Sequence, residues 1–177
     1  MEYNNNRKGY NNRNNNKIKK VDKNIDDNRN GNNNQDDNDK FKKVDEIIKD
    51  IKKGGKLSGT LKIKDLNLPN QAAYIIGEAF SKGDTDKDKL NTNQLRKYFD
   101  QIKAAELIDN FKEAKDNLFK ILPHVAYAAG RNVCPRKFYY LLEACISDES
   151  LKDKKDIETL VNFMSSIVAY SKFVGGK

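Results

Sequence analysis

Arginine and lysine side chains accompany an apolar helical pattern in two short segments of the chain. In the first segment, Leu95, Phe99 and Ile102 recur at helical spacing. Arg96 and Lys97 therefore point away from that apolar stripe. Guanidinium groups bind phosphate through paired hydrogen bonds, and lysine supplies a compact point charge. This segment predicts a helix that presents cations to the backbone of a nucleic acid.

A second segment places an arginine at the end of another apolar helix. Val125, Ala126 and Ala129 are small and apolar. Gly130 is a typical helix-terminating residue, and Arg131 follows it directly. The guanidinium of Arg131 is therefore expected to lie close to a rigid element.

Uncharged polar side chains near these cations extend the predicted binding surface. Thr92 and Gln94 can hydrogen-bond a phosphate or a ribose. The complete set of candidate binding residues is Thr92, Gln94, Arg96, Lys97, Lys103, Arg131, Arg136 and Lys137. Such a surface reads charge and shape and not base sequence. For Arg96 and Arg131, a structural ion pair with Asp or Glu is an equally good interpretation.

The tyrosines divide into two predicted groups. Tyr98, Tyr139 and Tyr140 could each stack on an unpaired base. Tyr127 and Tyr170 have apolar neighbours in the sequence, so both are predicted to lie in the core.

The sequence offers no set of residues for catalysis. His124 is the single histidine and has no serine or cysteine motif near it. Cys134 and Cys145 are too few for a structural zinc site. We expect two reduced thiols, with Cys145 packed in the core. The sequence thus predicts no catalytic residue, no metal and no cofactor.

Helical patterns follow one another from residue 41 to the end of the chain. The predicted helices cover residues 41–53, 69–81, 93–107, a stretch from residue 110 toward Pro123, 135–146, and a final helix that ends at Gly175-Gly176. Pro123 either kinks its helix or begins a new one that runs through Gly130. Residues 56–67 are predicted to be a surface loop and residues 82–89 a charged loop. The sum is an all-α fold, a single bundle of five or six helices over residues 41–177.

Residues 1–40 are predicted to form a disordered Asn-rich tail. Fifteen of these 40 residues are Asn and few are aliphatic, so the segment cannot bury enough apolar surface to order itself. The tail either contacts RNA or self-associates through its low complexity, or it reflects compositional bias, which we favour. The net charge of +8 suits a polyanionic partner without proving one. No apolar run could span a membrane and no signal peptide is recognisable, which predicts a cytoplasmic protein.

Both cationic segments resemble the small subunit of type III-A CRISPR effector complexes, the Csm small-subunit family. The family pattern runs roughly Leu-Thr-Thr-Ser-Gln-Ile-Arg-Lys, then Pro-Lys-Leu-Ala-Tyr-Ala-Ala-Gly-Arg, and the chain has residues 90–97 and 123–131 in the same order. Residues 72–77, 138–142 and 163–170 also agree. The chain departs from the pattern at His124, where the family often has Lys, and at Asn93, where it often has Ser.

The resemblance implies a non-catalytic subunit with a helical fold. In the family, copies stack side by side along the inner ridge of the ribonucleoprotein and line the channel of guide RNA and target RNA. Base pairing selects the target, and a neighbouring backbone subunit cuts it. The implied partners are guide RNA, target RNA, the backbone and large polymerase-like subunits, and further copies of the chain arranged head-to-tail.

Two other functions are compatible with the residues alone. One is a helical protein–protein adaptor without RNA contact, in which the basic excess reflects composition. The other is a DNA-binding regulator that uses residues 93–103 as a recognition helix. Residues 81–91 are too long and too charged for the turn that such a motif needs.

Overall fold

Helices make up all the regular secondary structure of residues 40–83 and 89–175, which the computed structural model describes. Helix α1 covers residues 40–54. The others are α2 (Leu57–Thr60), α3 (Ile63–Asn67), α4 (Ala72–Ser81), α5 (Thr92–Glu106), α6 (Phe111–Phe119), α7 (Ile121–Gly130), α8 (Arg136–Cys145) and α9 (Lys154–Val174). The predicted all-α fold is confirmed. The predicted tail lies outside the described residues except for Lys40, and so do residues 84–88 of the predicted charged loop.

Helix α9 is the element on which α2, α3, α4 and α5 pack. Its inner stripe contains Leu160, Met164 and Ile167, all buried, as the sequence predicts. Helices α4 and α5 both pack along it. Buried aromatic rings extend this core, and those of Phe80 and Phe138 meet edge to face with centroids 5.7 Å apart. Because α5 rests on α9, the cationic segment of α5 has a fixed support.

The first turn of α9 is stabilised by two carboxylates. Asp153 is the N-cap and accepts a hydrogen bond from the backbone of Asp156, whose side chain accepts one in return. Asp156 is buried and also accepts hydrogen bonds from the amides of Ser58 and Lys152, at 2.9 and 2.8 Å. The carboxylate of Asp156 therefore ties α2 to the start of α9.

Residues 56–67 are not a loop, and this prediction was wrong. They form α2 and α3, helices of four and five residues. Leu57, Leu61 and Leu66 are buried in the core, and the amide of Leu57 donates to the carbonyl of Ser150 at 2.9 Å. One-turn helices are too short to show a helical repeat, so their periodicity could not reveal them. With α2 and α3, and with α6 separate from α7, the described residues contain nine helices instead of five or six.

The start of α4 also differs from the prediction. Pro69 does not open the helix, because residues 68–71 form a turn in which Asn70 has a φ of +60°. The amide of Gln71 donates to the carbonyl of Leu68 at 3.4 Å. Proline followed by a residue with positive φ is typical of a type II turn. Helix α4 therefore begins only at Ala72, and it ends at Ser81 as predicted.

The other two prolines both lie near helix starts. Pro123 occupies the first turn of α7, where its missing N–H costs no hydrogen bond, so a new helix begins here. Lys120 is both the C-cap of α6 and the N-cap of α7. Pro135 is the N-cap of α8, which confirms the predicted start of that helix.

Candidate nucleic-acid interface

The cations of α5 are exposed because the opposite side of the helix is in the core. Asn91 caps the helix by accepting a hydrogen bond from the amide of Asn93 at 2.9 Å. The buried side consists of Leu95, Tyr98, Ile102 and Ala105. Arg96, Lys97 and Lys103 lie on the exposed side. A shallow depression on this side is lined by Asn93, Arg96, Lys97, Asp100, Gln101 and Ala104.

Arg131 is held by the way in which α7 ends. Asn132 has a φ of +56°, and its amide donates to the carbonyl of Ala129 at 3.1 Å. The amide of Val133 donates to the carbonyl of Ala128, also at 3.1 Å. These two bonds form a Schellman motif, so Asn132 and not Gly130 supplies the left-handed residue that stops the helix. The prediction that α7 ends at Gly130 is confirmed, but for a different reason.

Helices α5 and α7 border two common grooves, which they line in opposite order along the chain. One groove is lined by Thr92 and Gln94 at the start of α5 and by Asn132 and Val133 just after α7. A second groove is lined by Gln101 and Ala104, later in α5, and by Lys120 and His124 at the start of α7. The two segments singled out in the sequence are therefore neighbours.

A row of side chains on one side of α7 begins at the second of these grooves. Lys120, His124, Tyr127 and Arg131 follow one another at spacings of four, three and four residues, which places them on one side of a helix. The row borders α5 because its first two members line the second groove. We call the combined surface the α5–α7 face, defined by Asn93, Arg96, Lys97, Gln101, Lys120, His124, Tyr127 and Arg131.

Most of the predicted cations have no acidic partner. Within the described residues, no carboxylate lies within 4.0 Å of the charged groups of Arg96, Lys97, Lys103, Arg131 or Arg136. This finding disfavours the ion-pair interpretation of Arg96 and Arg131. Asp100 is the one carboxylate that lines the depression on α5, and it too makes no ion pair there.

Lys137 differs from the other candidates. Its ammonium lies 2.5 Å from a carboxylate oxygen of Asp45 on α1 and 5.7 Å from the ring centre of Phe41. These contacts fasten α8 to α1. Arg136, the first residue of α8, is exposed.

Tyr98 and Tyr127 exchange the roles that the sequence suggested for them, whereas Tyr139 and Tyr170 are partly buried against the core. Tyr98 is only 7% exposed and packs on Phe138, with ring centres 5.6 Å apart, so it cannot stack on a base. Burial raises the pKa of its hydroxyl. Tyr127, expected in the core, is 68% exposed, and the guanidinium of Arg131 lies 5.6 Å from its ring centre. Tyr140 is partly exposed.

Thr92 and Gln94 are half-buried at the groove beside the end of α7. The side-chain oxygen Oε1 of Gln94 is buried and has no hydrogen-bond partner. A buried acceptor without a donor is costly. Because Oε1 has no hydrogen bond to lose, a small rotation that brings this amide to a ligand carries little penalty.

The two cysteines are structural. Cys134 and Cys145 are both buried and unbonded, and burial raises the pKa of each thiol to about 12. In the part of the chain that the structure describes, no three His, Cys, Asp or Glu side chains are grouped to hold a metal ion. No helix there is both long enough and apolar enough to cross a membrane.

Comparisons with known proteins agree with the resemblance. The family model described as Csm2 Type III-A matches residues 64–177. A protein of Streptococcus thermophilus described as "CRISPR system Cms protein Csm2" is 38% identical over 96 residues, which cover 50% of this chain and 75% of that protein. The comparison with solved structures gave no significant match.

Proposed function

Because the chain belongs to the Csm2 type III-A family and is a small subunit of a type III-A CRISPR system, we propose that it lines the RNA channel of the effector complex. Its α5–α7 face contacts the guide–target RNA along the phosphate backbone. The contacts stabilise the bound target and do not depend on its sequence. The subunit binds and does not cleave.

One observation carries this proposal: Arg96 and Arg131 lie on neighbouring helices, both exposed and neither paired with a carboxylate. An unpaired guanidinium retains all its donors for bidentate contact with a phosphate. Lys97 and Lys103 add charge on the same side of α5. Phosphate contacts fix the position of a strand without reading bases, as a subunit that must accept any guide requires.

The remaining candidate residues contribute to RNA binding to different extents. Thr92 and Gln94 contact ribose or phosphate at the end of the face, and Arg136 extends the positive charge beyond α7. Lys137 contributes least, because its ammonium already neutralises Asp45. Large apolar side chains exposed elsewhere, on Ile63, Leu68 and Phe173, suit contacts with neighbouring copies and with the backbone and polymerase-like subunits.

The proposal predicts that replacing both Arg96 and Arg131 with alanine weakens target RNA binding. In the assembled complex at about 0.1 M salt, we expect the dissociation constant to rise by at least about tenfold, since hydrogen bonds to charged groups are strong. Each lost phosphate contact also lowers the slope of log affinity against log salt by about 0.7–0.9. The measurement is a target RNA titration at several salt concentrations.

The matched control removes two charges elsewhere. Lys49 on α1 and Lys155 on α9 are exposed and lie outside the α5–α7 face, so their double alanine variant should retain both affinity and slope. Unchanged binding in the arginine variant would refute the proposed contact. A complex that stays assembled after ribonuclease treatment and contains no RNA would favour the protein adaptor. Tighter binding of duplex DNA than of RNA would favour the DNA-binding regulator.

A further inference from the structure

Tyr127 is a large aromatic side chain in the middle of a charged surface. The core side of α7 is formed by Ile121, Val125 and Ala129, all buried. Tyr127 lies away from that side and remains 68% exposed. An aromatic ring held in water on a rigid helix forgoes the free energy that burial would provide. The exposed ring is therefore accessible to a bound partner.

The surroundings leave the ring accessible. Ala126 and Gly130, its exposed neighbours on the outer surface of α7, are both small. A Cβ atom added at Gly130 would meet no other atom within 4 Å, so the surface of α7 at Gly130 is open. A flat ligand can approach Tyr127 without displacing protein atoms.

Arg131 forms a unit with this ring. Its guanidinium lies 5.6 Å from the ring centre, within the range of a cation–π contact. No carboxylate in the described residues competes for it. The contact restrains both side chains, while the outer N–H groups of the guanidinium remain available to an anion. A ring and a cation in this arrangement match a base and the phosphate next to it.

We propose that Tyr127 is a stacking platform for one unpaired base of the bound RNA, with Arg131 on the adjacent phosphate. The inference rests on the proposed function and deepens it. A base inside a regular duplex has both faces covered, so the occupant is a nucleotide displaced from the guide–target duplex or outside it. Stacking accepts any base, in agreement with a surface that does not read sequence.

The charge of the surroundings favours RNA over a protein as the occupant. The α5–α7 face carries Arg96, Lys97, Lys120 and Arg131, and Asp100 lines its depression on α5. A protein partner would need an acidic patch of matching shape. A nucleic acid supplies negative charge at every nucleotide together with an aromatic base.

The test compares Tyr127→Phe with Tyr127→Leu in the assembled complex. Leucine keeps apolar bulk and removes the π face, so target affinity should fall by about 5- to 100-fold with an unchanged salt slope. Phenylalanine keeps the ring and should stay within about twofold of wild type. Because Tyr127 is exposed, thermal unfolding of both variants should match that of the wild-type subunit.

Photo-crosslinking locates the base directly. Target and guide RNAs that carry 5-iodouridine at one position at a time should crosslink to Tyr127 at particular positions, and Tyr127→Leu should abolish those crosslinks. The inference would be overturned if Tyr127→Leu bound target RNA with wild-type affinity, or if no crosslink to Tyr127 formed. It would also be overturned if the Tyr127→Leu subunit failed to assemble with the other subunits in the absence of RNA, since Tyr127 would then contact protein. If Arg96→Ala still weakens binding in such a case, the channel-lining function stands and only the stacking fails.

Discussion

Replacing Asp156 with alanine is expected to lower the free energy of unfolding by about 3 kcal/mol. Asp156 is fully buried, and its carboxylate accepts hydrogen bonds from the amides of Ser58, Lys152 and Asp153, at 2.9, 2.8 and 3.1 Å. Alanine leaves these donors unsatisfied where water has little access. It also removes the link between α2 and the start of α9. Urea denaturation followed by circular dichroism measures the change.

Asp153→Ala is the matched control for this substitution. Asp153 caps the same helix, but its side chain is partly exposed, so its loss should cost only about 1 kcal/mol. Asp156→Asn should fall between the two alanine variants, because an amide keeps one acceptor oxygen. A cost below about 1 kcal/mol for Asp156→Ala would show that the buried hydrogen bonds contribute little.

The same carboxylate makes stability depend on pH. Burial acts to raise the pKa of Asp156, but the hydrogen bonds from Ser58, Lys152 and Asp153 outweigh it and hold the pKa below its usual value of 3.8. A lowered folded pKa gives stability that is complete above pH 3.8 and is lost as pH falls through the folded value. The free energy of unfolding of the wild-type chain should therefore fall as the pH is lowered below 3.8. The free energy of unfolding of Asp156→Asn should depend less on pH in this range.

Local signals made much of α5 predictable. A helix cap and an apolar repeat depend only on residues that are close in the sequence, and so does the position of a cation between the apolar residues. The helix, its cap and the exposure of Arg96 and Lys97 can therefore be predicted from the sequence. The ion-pair partners of the cations could not be predicted from the sequence. Asp45 and Lys137 are far apart in the chain, and only the packing of α1 on α8 brings them together.

The tyrosines show a second limit of the sequence. Tyr127 has apolar neighbours by type, but Ala126 is exposed, so the apolar run does not mark the core side of α7. The repeat of Ile121, Val125 and Ala129 marks that side and already places Tyr127 off it. The four-residue spacing to Arg131 was a further signal of the cation–π pair. Tyrosine is amphipathic, so residue type alone does not decide between core and surface.

Gly77→Ala is expected to destabilise the fold by about 2–3 kcal/mol. Helix α4 lies close to α9 at Gly77, where an added Cβ would lie 2.8 Å from the backbone nitrogen of Ser171 and 3.0 Å from the carbonyl oxygen of Ile167. Backbone atoms of a helix cannot turn aside as a side chain can, so α4 and α9 must separate. Thermal and urea unfolding of the isolated subunit would measure the loss.

Gly130→Ala is the control for Gly77→Ala, because it measures the effect of replacing a helical glycine where no other helix lies close. A Cβ at Gly130 meets nothing within 4 Å, so alanine there should be neutral or stabilise the chain by up to about 1 kcal/mol. Because α5 also packs on α9, a shift of α9 in Gly77→Ala should disturb the support of Arg96 and weaken RNA binding as well. Equal stability of Gly77→Ala and wild type would mean that α4 and α9 can move apart without cost, and that the α4–α9 contact does not fix the position of α5.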